Sequence, residues 1–307
     1  IPLDFHPILC NTKIMKNIHI EHAEDMILTG DLSVVELLYN FDLVSVKMDG
    51  APAIVWGKDP ATGTFFVGTK AVFNKKKIRI AHSHEEIDQH YVEEVADILH
   101  ACFNFLPRTD SILQGDFIGW GNGRTFTPNT ITYSFPEFVT QKIIIAPHTE
   151  YFAENDLRDA VAKPFTEFLV DNQKVKWVQP SVDYVKYDDK APTFKTDDVN
   201  FLDERTAACC KKIINAFIRE GKLLTYEMLT LILDCPRLAD LYLIVIEMKE
   251  DLMDSFIIAD CPVSTIQGLK VKQEGFVIHG QNGMQTKLVD RELFANANFT
   301  IPKRWTI

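Results

Sequence analysis

One lysine stands where an amine nucleophile could be held. Lys47 ends an apolar, β-branched run and is followed by the turn residues Asp49 and Gly50. An amine attacks phosphorus only when it is neutral, so its pKa must be lowered by a dry pocket or by neighbouring cations. Val44 and Val46 would supply the dry side. Taken alone, this Lys-x-Asp-Gly pattern more often marks a strand-end lysine beside a hairpin turn.

A second group of residues has the charge needed to contact phosphate. Residues 69–80 hold five cations and no acid. Such a run suits contacts to a nucleic-acid backbone, and a solvated surface loop has the same composition. The five cations are Lys70, Lys75, Lys76, Lys77 and Arg79.

Short antiparallel strands are predicted around these residues. Apolar runs at 43–47, 53–56 and 65–69 are separated by turn residues at 49–50 and 59–63. A helix is predicted over 83–105, opening with a Ser83–Glu86 capping pattern and ending before Pro107. Other helices are predicted at 31–40, 200–219, 225–233 and 237–250, and other strands at 111–117, 141–146, 271–279 and 284–289.

Charge divides the chain into two parts. Residues 150–260 carry 22 acidic and 14 basic side chains, a net charge of −8 out of −11 for the whole chain. The sequence therefore predicts an α+β domain formed by residues 1–149 and 266–307, interrupted by an acidic, helix-rich insertion at 150–265. Because the whole chain is acidic, any nucleic-acid contact must use cations concentrated on one surface.

Bulk features restrict the class of protein. A chain of 307 residues that is 46% hydrophobic can bury one large core or two modest ones. Six cysteines without a CxxC pair indicate a reducing, cytoplasmic location. No apolar run reaches the length of a membrane span and no charged-then-apolar leader is visible, so neither a membrane partner nor a signal peptide is expected.

The order of the motifs resembles that of a known superfamily. Residues 47–50 (Lys-Met-Asp-Gly) resemble motif I of the covalent nucleotidyltransferases, which comprise ATP-dependent DNA and RNA ligases and mRNA capping enzymes. Residues 67–70, 113–119, 274–278 and 285–289 resemble motifs Ia, III, IV and V in the same order. The longer segments 45–54 and 125–131 are similar to those of phage-type RNA ligases.

The resemblance implies a fold and a class of reaction. The implied fold is the nucleotidyltransferase (ATP-grasp-like ligase adenylation) fold, in which antiparallel sheets are flanked by helices. DNA ligases and capping enzymes usually add an OB-fold after motif V. Only residues 290–307 follow motif V in this sequence, too few for such a barrel. An RNA ligase that joins a 5′-phosphate to a 3′-hydroxyl is therefore expected.

The same resemblance implies roles for single residues. Lys47 would attack the α-phosphate of ATP and hold AMP covalently, while Lys287 would neutralise the charge that builds up on that phosphate. Glu274 and Asp116 would hold Mg²⁺ or Mn²⁺, since hard cations prefer oxygen ligands. In the family, the acid at the position of Asp116 can instead contact the ribose.

The remaining implied contacts surround the nucleotide and the strand being joined. Phe135 would stack on the base, with Tyr133 as the alternative. The run of Lys75, Lys76, Lys77 and Arg79 would contact the nucleic acid. The other nucleotide-binding residues would be Val46, Asp49, Gly50, Lys70 and Gln285.

Departures from the motifs leave other functions open. Pro52 stands where relatives often have an arginine, and Gln285 stands at the position of the first lysine of motif V. Many ligases have a glutamate just before motif I, where this chain has residues 44–46 (Val-Ser-Val). One alternative is a minimal DNA ligase or a GTP-using guanylyltransferase. Another is a nucleic-acid-binding module of the same fold without catalytic activity. The oligomeric state stays open.

Overall fold

Residues 20–185 and 190–300 are described by a computed structural model, in which they form antiparallel sheets flanked by helices. The prediction of a mixed α+β chain is therefore confirmed. Cys10 and the predicted domain's segments 1–19 and 301–307 lie outside the described residues. No helix in the described part is both long and apolar enough to cross a membrane. Among the cysteines that are described, Cys102, Cys209, Cys210, Cys235 and Cys261 are free thiols.

The first half of the chain supplies most of the sheet structure. Its elements are α1 (Ala23–Met26), α2 (Ser33–Tyr39), β1 (Leu43–Lys47), β2 (Ala53–Lys58), β3 (Phe65–Gly68), α3 (His84–His90), α4 (Glu93–Phe105), β4 (Ile112–Trp120), β5 (Gly123–Phe126), β6 (Thr132–Val139) and β7 (Ile143–Phe152). A short 3₁₀ helix, Lys70–Phe73, follows β3.

The second half of the chain adds long helices and the strands that close the sheets. Its elements are β8 (Val161–Pro164), β9 (Val175–Trp177), β10 (Ser181–Asp183), α5 (Glu204–Arg219), α6 (Tyr226–Leu233), α7 (Pro236–Ser255), β11 (Ile257–Ala259), β12 (Val263–Ile266), β13 (Leu269–Val271), β14 (Gly275–His279), β15 (Gln285–Val289) and α8 (Arg291–Thr300).

The predicted strands and helices of both halves are confirmed, with ends shifted by up to six residues and with two exceptions. The strand predicted at 271–279 is β14 together with the last residue of β13, and residues 272–274 between them are not in a strand. The helix predicted over 83–105 is two helices. The side chain of Ser83 caps α3 by accepting a hydrogen bond from the Glu86 amide (3.3 Å), but α3 ends at His90. The hydroxyl of Tyr91 donates to the carbonyl of Arg79 (2.7 Å) and accepts from the amide of Thr69 (3.1 Å). These two bonds hold Tyr91 against the segment that follows β3. The backbone of Tyr91 is extended rather than helical.

Two sheets meet at residues 48–52, which contain Asp49 and Gly50 of the motif I resemblance and are called the motif I turn. A three-stranded antiparallel sheet has the order β1-β14-β15. A larger sheet has the order β3-β2-β4-β7-β8, and β9 pairs in parallel with β7. The chain passes from β1 to β2 through residues 48–52, so the turn after Lys47 connects the two sheets. A third sheet, β13-β12-β6-β5, packs beside them, and β10 pairs with β11.

The core runs across the predicted boundaries of the acidic insertion. One buried apolar cluster joins Val46 of β1, Ile118 of β4, Ile214 of α5, Tyr242 of α7 and Phe276 of β14. The boundary predicted at residue 150 falls within β7. The helix-rich segment therefore packs against the predicted catalytic strands and shares their core.

A buried ionic network also connects distant parts of the chain. The guanidinium group of Arg291 donates to Glu24 (3.1 Å), Asp25 (3.0 Å) and the Tyr242 hydroxyl (3.0 Å). The ammonium group of Lys249 donates to the same carboxylate oxygen of Glu24 (3.2 Å). The network ties α1, α7 and α8 together behind the three-stranded sheet.

Candidate functional site

Lys47 and Glu274 meet at one end of the three-stranded sheet. Lys47 pairs with Gly275, the first residue of β14, so Glu274 immediately precedes the paired position. The Lys47 ammonium group donates a hydrogen bond to the Glu274 carboxylate. The Lys47 side chain stays 33% exposed, which leaves it accessible to a ligand. Val46 alternates to the opposite face and is buried in the core, so only its backbone is available to a nucleotide.

Lys287 lies on the same face of this sheet. It pairs with Val277, two residues along β14 from the partner of Lys47. Residues directly opposite in antiparallel strands share a face, as do residues two apart along one strand. The structure therefore brings both predicted catalytic lysines to one surface, separated by a single strand.

The pKa of Lys47 is shifted in the opposite direction from the one expected for an amine nucleophile. Burial favours a lower pKa for Lys47, but the contact with Glu274 and the nearby charges of Asp116 and Asp49 outweigh it and raise the pKa above its usual value. The expectation of a lowered pKa is therefore wrong for the unliganded protein, where Lys47 is held as an ammonium ion. Burial, only partly offset by Lys47, raises the pKa of Glu274 to about 6.

The second lysine has the opposite shift. Burial, followed by the charge of Lys47, lowers the pKa of Lys287 to about 8, despite the opposing charges of Glu21 and Asp25. Gln285 lies two residues farther from Lys47 along β15. It lines a cavity of about 420 Å³ between α1 and α5, together with Asp25 and Lys211.

The carboxylate of Asp49 is fully engaged by another segment of the chain. It accepts hydrogen bonds from the side chain of Asn129 (2.8 Å) and from the amides of Thr130 (2.9 Å) and Ile131 (3.1 Å). The Asp49 amide in turn donates to the Tyr133 hydroxyl (2.6 Å). Asp49 therefore fixes the motif I turn to the loop between β5 and β6.

Gly50 brings the turn against Asp116. A Cβ atom at position 50 would lie 2.6 Å from the Cβ atom of Asp116 and 2.9 Å from the carbonyl oxygen of Phe117. The amide of Ala51 donates to that carbonyl (3.0 Å), the Phe117 amide donates to the carbonyl of Pro52 (3.0 Å), and the Ala51–Pro52 peptide is cis. Only glycine permits this approach between the turn after Lys47 and the acid of β4.

Asp116 has a neighbour that the sequence motifs did not reveal. Strands β4 and β7 pair Gln114 with Thr149 but Gly115 with Pro147, so His148 is an extra residue in the ladder. Its Nε2 atom lies 3.7 Å from Oδ2 of Asp116. Bulges of this kind often redirect a side chain at a functional site.

The two aromatic candidates for base stacking occupy different surroundings. Tyr133 is fully buried, and its hydroxyl is bonded to the motif I turn, so its ring has no free face. Phe135 lies two residues farther along β6, half-buried, with its ring edge-to-face against Phe126 (centroids 5.6 Å apart). Phe135 is the better placed of the two to meet a ligand.

The basic segment, residues 70–79, follows β3 at the end of the large sheet that is nearest Asp116. β3 ends at Gly68 opposite Val55, and β2 begins two residues earlier at Ala53, which pairs with Asp116. Lys70 starts the 3₁₀ helix that follows β3, and it is exposed. The other exposed cations of this segment are Lys75, Lys76, Lys77 and Arg79.

The site offers carboxylates for a cation without a complete cage. Across residues 20–185 and 190–300, no three histidine, cysteine, aspartate or glutamate side chains converge in the manner of a metal centre. Glu274 and Asp116 are nevertheless close enough for each charge to affect Lys47. Mg²⁺ typically takes one or two protein carboxylates and completes its shell with water and substrate phosphates, so this donor set fits a cation that arrives with a nucleotide.

A protein-family profile matches most of the sequence. The profile of a family of unknown function (DUF6267) matches residues 17–232 and 234–303, almost the whole chain. No curated protein and no solved structure matches the chain.

Proposed function

The chain belongs to DUF6267, and we propose that it is an ATP-dependent polynucleotide ligase that carries AMP on Lys47. One observation carries the proposal. A partly exposed lysine contacts an acid across the sheet, shares its surface with a second lysine, and sits on a turn packed against a second acid. The antiparallel sheets that meet at this turn support a nucleotidyltransferase fold.

The first step uses the two lysines for different purposes. Nζ of Lys47 attacks the α-phosphorus of ATP, a nitrogen–phosphorus bond forms, and the bond to the bridging oxygen breaks with release of pyrophosphate. Lys287, on the same face, neutralises the charge that develops on the α-phosphate. Mg²⁺ or Mn²⁺ held by Glu274 and Asp116 would neutralise phosphate charge when bound.

Lys47 must lose a proton before it can attack. In the unliganded protein, Glu274 is the group that raises the pKa of Lys47 most. Any cation that engages the Glu274 carboxylate weakens that contact and leaves burial to lower the pKa. The ion pair therefore acts as a resting state that keeps the amine unreactive until nucleotide and cation are present.

The later steps involve a nucleic-acid strand. An oxygen of a 5′-phosphate attacks the phosphorus of the lysine–AMP adduct, and Lys47 leaves. A 3′-hydroxyl then attacks the activated 5′-phosphate, forming the phosphodiester and releasing AMP. The exposed cations at 70–79 follow β3 at the end of the large sheet where the turn after Lys47 leads into β2. In this position they suit contacts to backbone phosphates.

RNA ends are the preferred substrate in this proposal. The two segments similar to phage-type RNA ligases, 45–54 and 125–131, are distant in sequence. In the structure they are bonded to each other through Asp49, which accepts from Asn129, Thr130 and Ile131. Two similar segments that form one joined unit support the RNA ligase over a minimal DNA ligase.

Intact mass spectrometry tests the proposal. Purified protein incubated with ATP and Mg²⁺ is expected to gain the mass of one AMP, and Lys47→Ala to gain none. Lys58→Ala, which changes a surface lysine paired with Asp110, should gain it as the wild type does. A Lys47→Ala variant that still becomes labelled would overturn the assignment of the nucleophile.

The same measurement separates the alternatives. A gain with GTP alone would indicate a guanylyltransferase. If wild-type protein neither carries the mass of AMP as purified nor gains mass with either nucleotide, a ligase that forms a lysine–AMP adduct is excluded. The ion pair that holds Lys47 protonated then favours a nucleic-acid-binding module, which should still bind single-stranded RNA through Lys75, Lys76 and Lys77.

A further inference from the structure

The hydroxyl of Tyr91 joins the two ends of the basic segment. It accepts a hydrogen bond from the amide of Thr69, just before the segment (3.1 Å), and donates one to the carbonyl of Arg79, its last residue (2.7 Å). Tyr91 is buried, and burial raises the pKa of its hydroxyl, so the proton that the Arg79 carbonyl accepts is retained at neutral pH. The basic segment is therefore closed at its base by a single side chain.

The base of the segment is closely packed. A Cβ atom at Gly68 would lie 2.9 Å from the carbonyl oxygen of Arg79 and 3.1 Å from the hydroxyl oxygen of Tyr91. The Arg79 guanidinium group also lies over the Tyr91 ring, 6.0 Å from its centroid, within reach of a cation–π contact. Beyond this base, the side-chain amide of Asn74 donates to the carbonyl of Lys77 (3.2 Å). The segment thus combines a fixed base with a bonded turn.

The helix break at Tyr91 has a cost that its contacts offset. Helical spacing continues through 83–105, yet α3 ends at His90 and α4 begins at Glu93. The break leaves Val92 73% exposed and puts Glu93 at a φ of 51°, in the left-handed region that is unfavourable for a residue with a side chain. Backbone strain of this kind clusters at functional sites, and the contact that accompanies it here is the one between Tyr91 and the basic segment.

The cations of the basic segment lack acidic partners in the part of the chain that the structure describes. None of its five lysine and arginine side chains forms an ion pair with a described carboxylate, although the chain has more acids than bases. Exposed lysines elsewhere do pair, as Lys58 does with Asp110 and Lys163 with Glu150. Cations that are held together without acids favour a polyanion, and a nucleic-acid backbone presents regularly spaced negative charge.

We propose that Tyr91 is a positioning residue for nucleic-acid binding, which holds the basic segment in the conformation that contacts the phosphate backbone of an RNA strand. The inference rests on the nucleic-acid substrate of the proposed function, and it does not depend on AMP transfer. Because Tyr91 is buried, it acts through the exposed lysines at positions 75–77. A segment already held in its binding conformation loses less conformational entropy when RNA binds, so fixing it increases the affinity.

A double-mutant cycle on RNA binding tests the inference. Binding of a short fluorescent single-stranded RNA is measured by anisotropy at fixed salt and without ATP. Tyr91→Phe removes the hydroxyl and keeps the ring, a triple variant replaces the lysines at 75–77 by alanine, and a fourth protein combines both changes. Thr225→Ala, which removes the hydroxyl that caps α6, is the matched control for the loss of a side-chain hydrogen bond. Thermal melts establish that each variant folds.

Tyr91→Phe is expected to bind the RNA about three- to tenfold more weakly than the wild type, since the loss of a net hydrogen bond typically has an effect of this size. In the triple-lysine background the same change should alter the affinity by less than about twofold, because the cations that Tyr91 positions are gone. Thr225→Ala should bind as the wild type does. The backbone amides of residues 69–79 should exchange hydrogen faster in Tyr91→Phe, because the segment opens more readily.

The outcomes separate this inference from the proposed function. An unchanged affinity in Tyr91→Phe, or an equal loss with and without the three lysines, would overturn the positioning role and leave the ligase intact. Wild-type affinity in the triple-lysine variant would also overturn it, because the basic segment would not be the contact surface. A loss in Tyr91→Phe that depends on the lysines, in a protein that carries and gains no AMP, would support the inference and overturn the ligase. Absence of both RNA binding and AMP transfer would overturn both.

Discussion

Lys47 donates a hydrogen bond to Glu274 across 227 residues of sequence, and the charge of that acid controls the protonation of the amine. Burial acts to lower the pKa of Lys47, and Glu274 is the largest of the groups that oppose it. The contact can therefore be tested without assuming any catalytic activity.

Replacing Glu274 by glutamine should lower the pKa of Lys47. The neutral amide removes the largest opposing charge and leaves burial opposed only by Asp116 and Asp49. The pH at which Lys47 becomes half-reactive toward an amine-selective acylating reagent should fall by about one unit or more, a typical effect of removing an opposite charge. Peptide mass mapping across a pH series measures this. Asp110→Asn, which removes the acid from the surface pair with Lys58, should leave Lys47 unchanged, and an unshifted Lys47 in Glu274→Gln would contradict the prediction.

Lys287 should be the more reactive of the two lysines near neutral pH. Its pKa is lowered to about 8, mainly by burial and then by Lys47. A lowered pKa means that the neutral amine appears as the pH rises through about 8, whereas Lys47 stays protonated to higher pH because its pKa is raised. Limited acylation at pH 8 should therefore modify Lys287 before Lys47. Normalising each site to the unfolded protein removes intrinsic differences, and preferential modification of Lys47 would show that the order is wrong.

Substituting alanine for Gly50 should disrupt the site more than the fold. The added Cβ atom would lie 2.6 Å from the Cβ atom of Asp116, so the turn must move away from β4. We expect at least a tenfold loss in the rate of AMP transfer, because small displacements of reacting groups have effects of this size or larger. Gly123→Ala is the control, since its Cβ atom would meet ring atoms of Phe126 at ordinary distances of 3.4–3.5 Å. Equal activity of both variants would contradict the prediction.

Replacing Arg291 by methionine should strongly destabilise the protein. The change leaves Asp25 buried without its cation and leaves Glu24 with Lys249 alone. Breaking a buried ion pair costs about 3–5 kcal/mol. Arg237→Met, at an exposed ion pair on α7, should change the free energy of unfolding by less than about 0.5 kcal/mol. Urea titration of both variants measures the difference, and a comparable small effect in Arg291→Met would disprove a structural role for the network.

Within the same network, Glu24 should contribute a loss of stability in acid. Burial alone would raise the pKa of Glu24, but Lys249 and Arg291 hold it at about 2. A carboxyl with a lowered folded-state pKa contributes stability that is complete above its unfolded value of 4.5 and is lost as the pH falls toward 2. The part of the acid transition due to Glu24 should therefore be absent in Glu24→Gln. An unchanged pH profile in that variant would exclude this contribution.

The elements nearest Lys47 could be predicted because their sequence pattern is local. β1 was predicted with its observed limits, since Val44 and Val46 alternate inward along it. The helix over 83–105 was predicted as continuous because Ile87, Tyr91 and Val95 follow helical spacing. The break comes from hydrogen bonds between Tyr91 and residues before α3, and helical periodicity contains no information about those distant partners.

The candidate site was predictable only in part for the same physical reason. Ordered motifs predicted Lys47, Glu274 and Lys287 as residues of one site. The structure places the two lysines on β1 and β15 and Glu274 just before β14, the strand between them. His148 was missed because its position depends on an extra residue in the β4–β7 ladder, which no short motif encodes. The choice between Phe135 and Tyr133 also needed tertiary structure, because the two lie two residues apart on one strand and differ in what covers them.

The pairing of β1 with β14 has a consequence for how the molecule is made. Ser45 lies opposite Val277 in that sheet. The strand that carries Lys47 therefore cannot pair with β14 until most of the chain has left the ribosome. Until then its backbone donors and acceptors lack their partners, and contacts of such long sequence separation form slowly. A nascent chain would therefore hold Lys47 without Glu274 or Lys287, and we expect any reaction at that lysine to begin only after synthesis has passed β15.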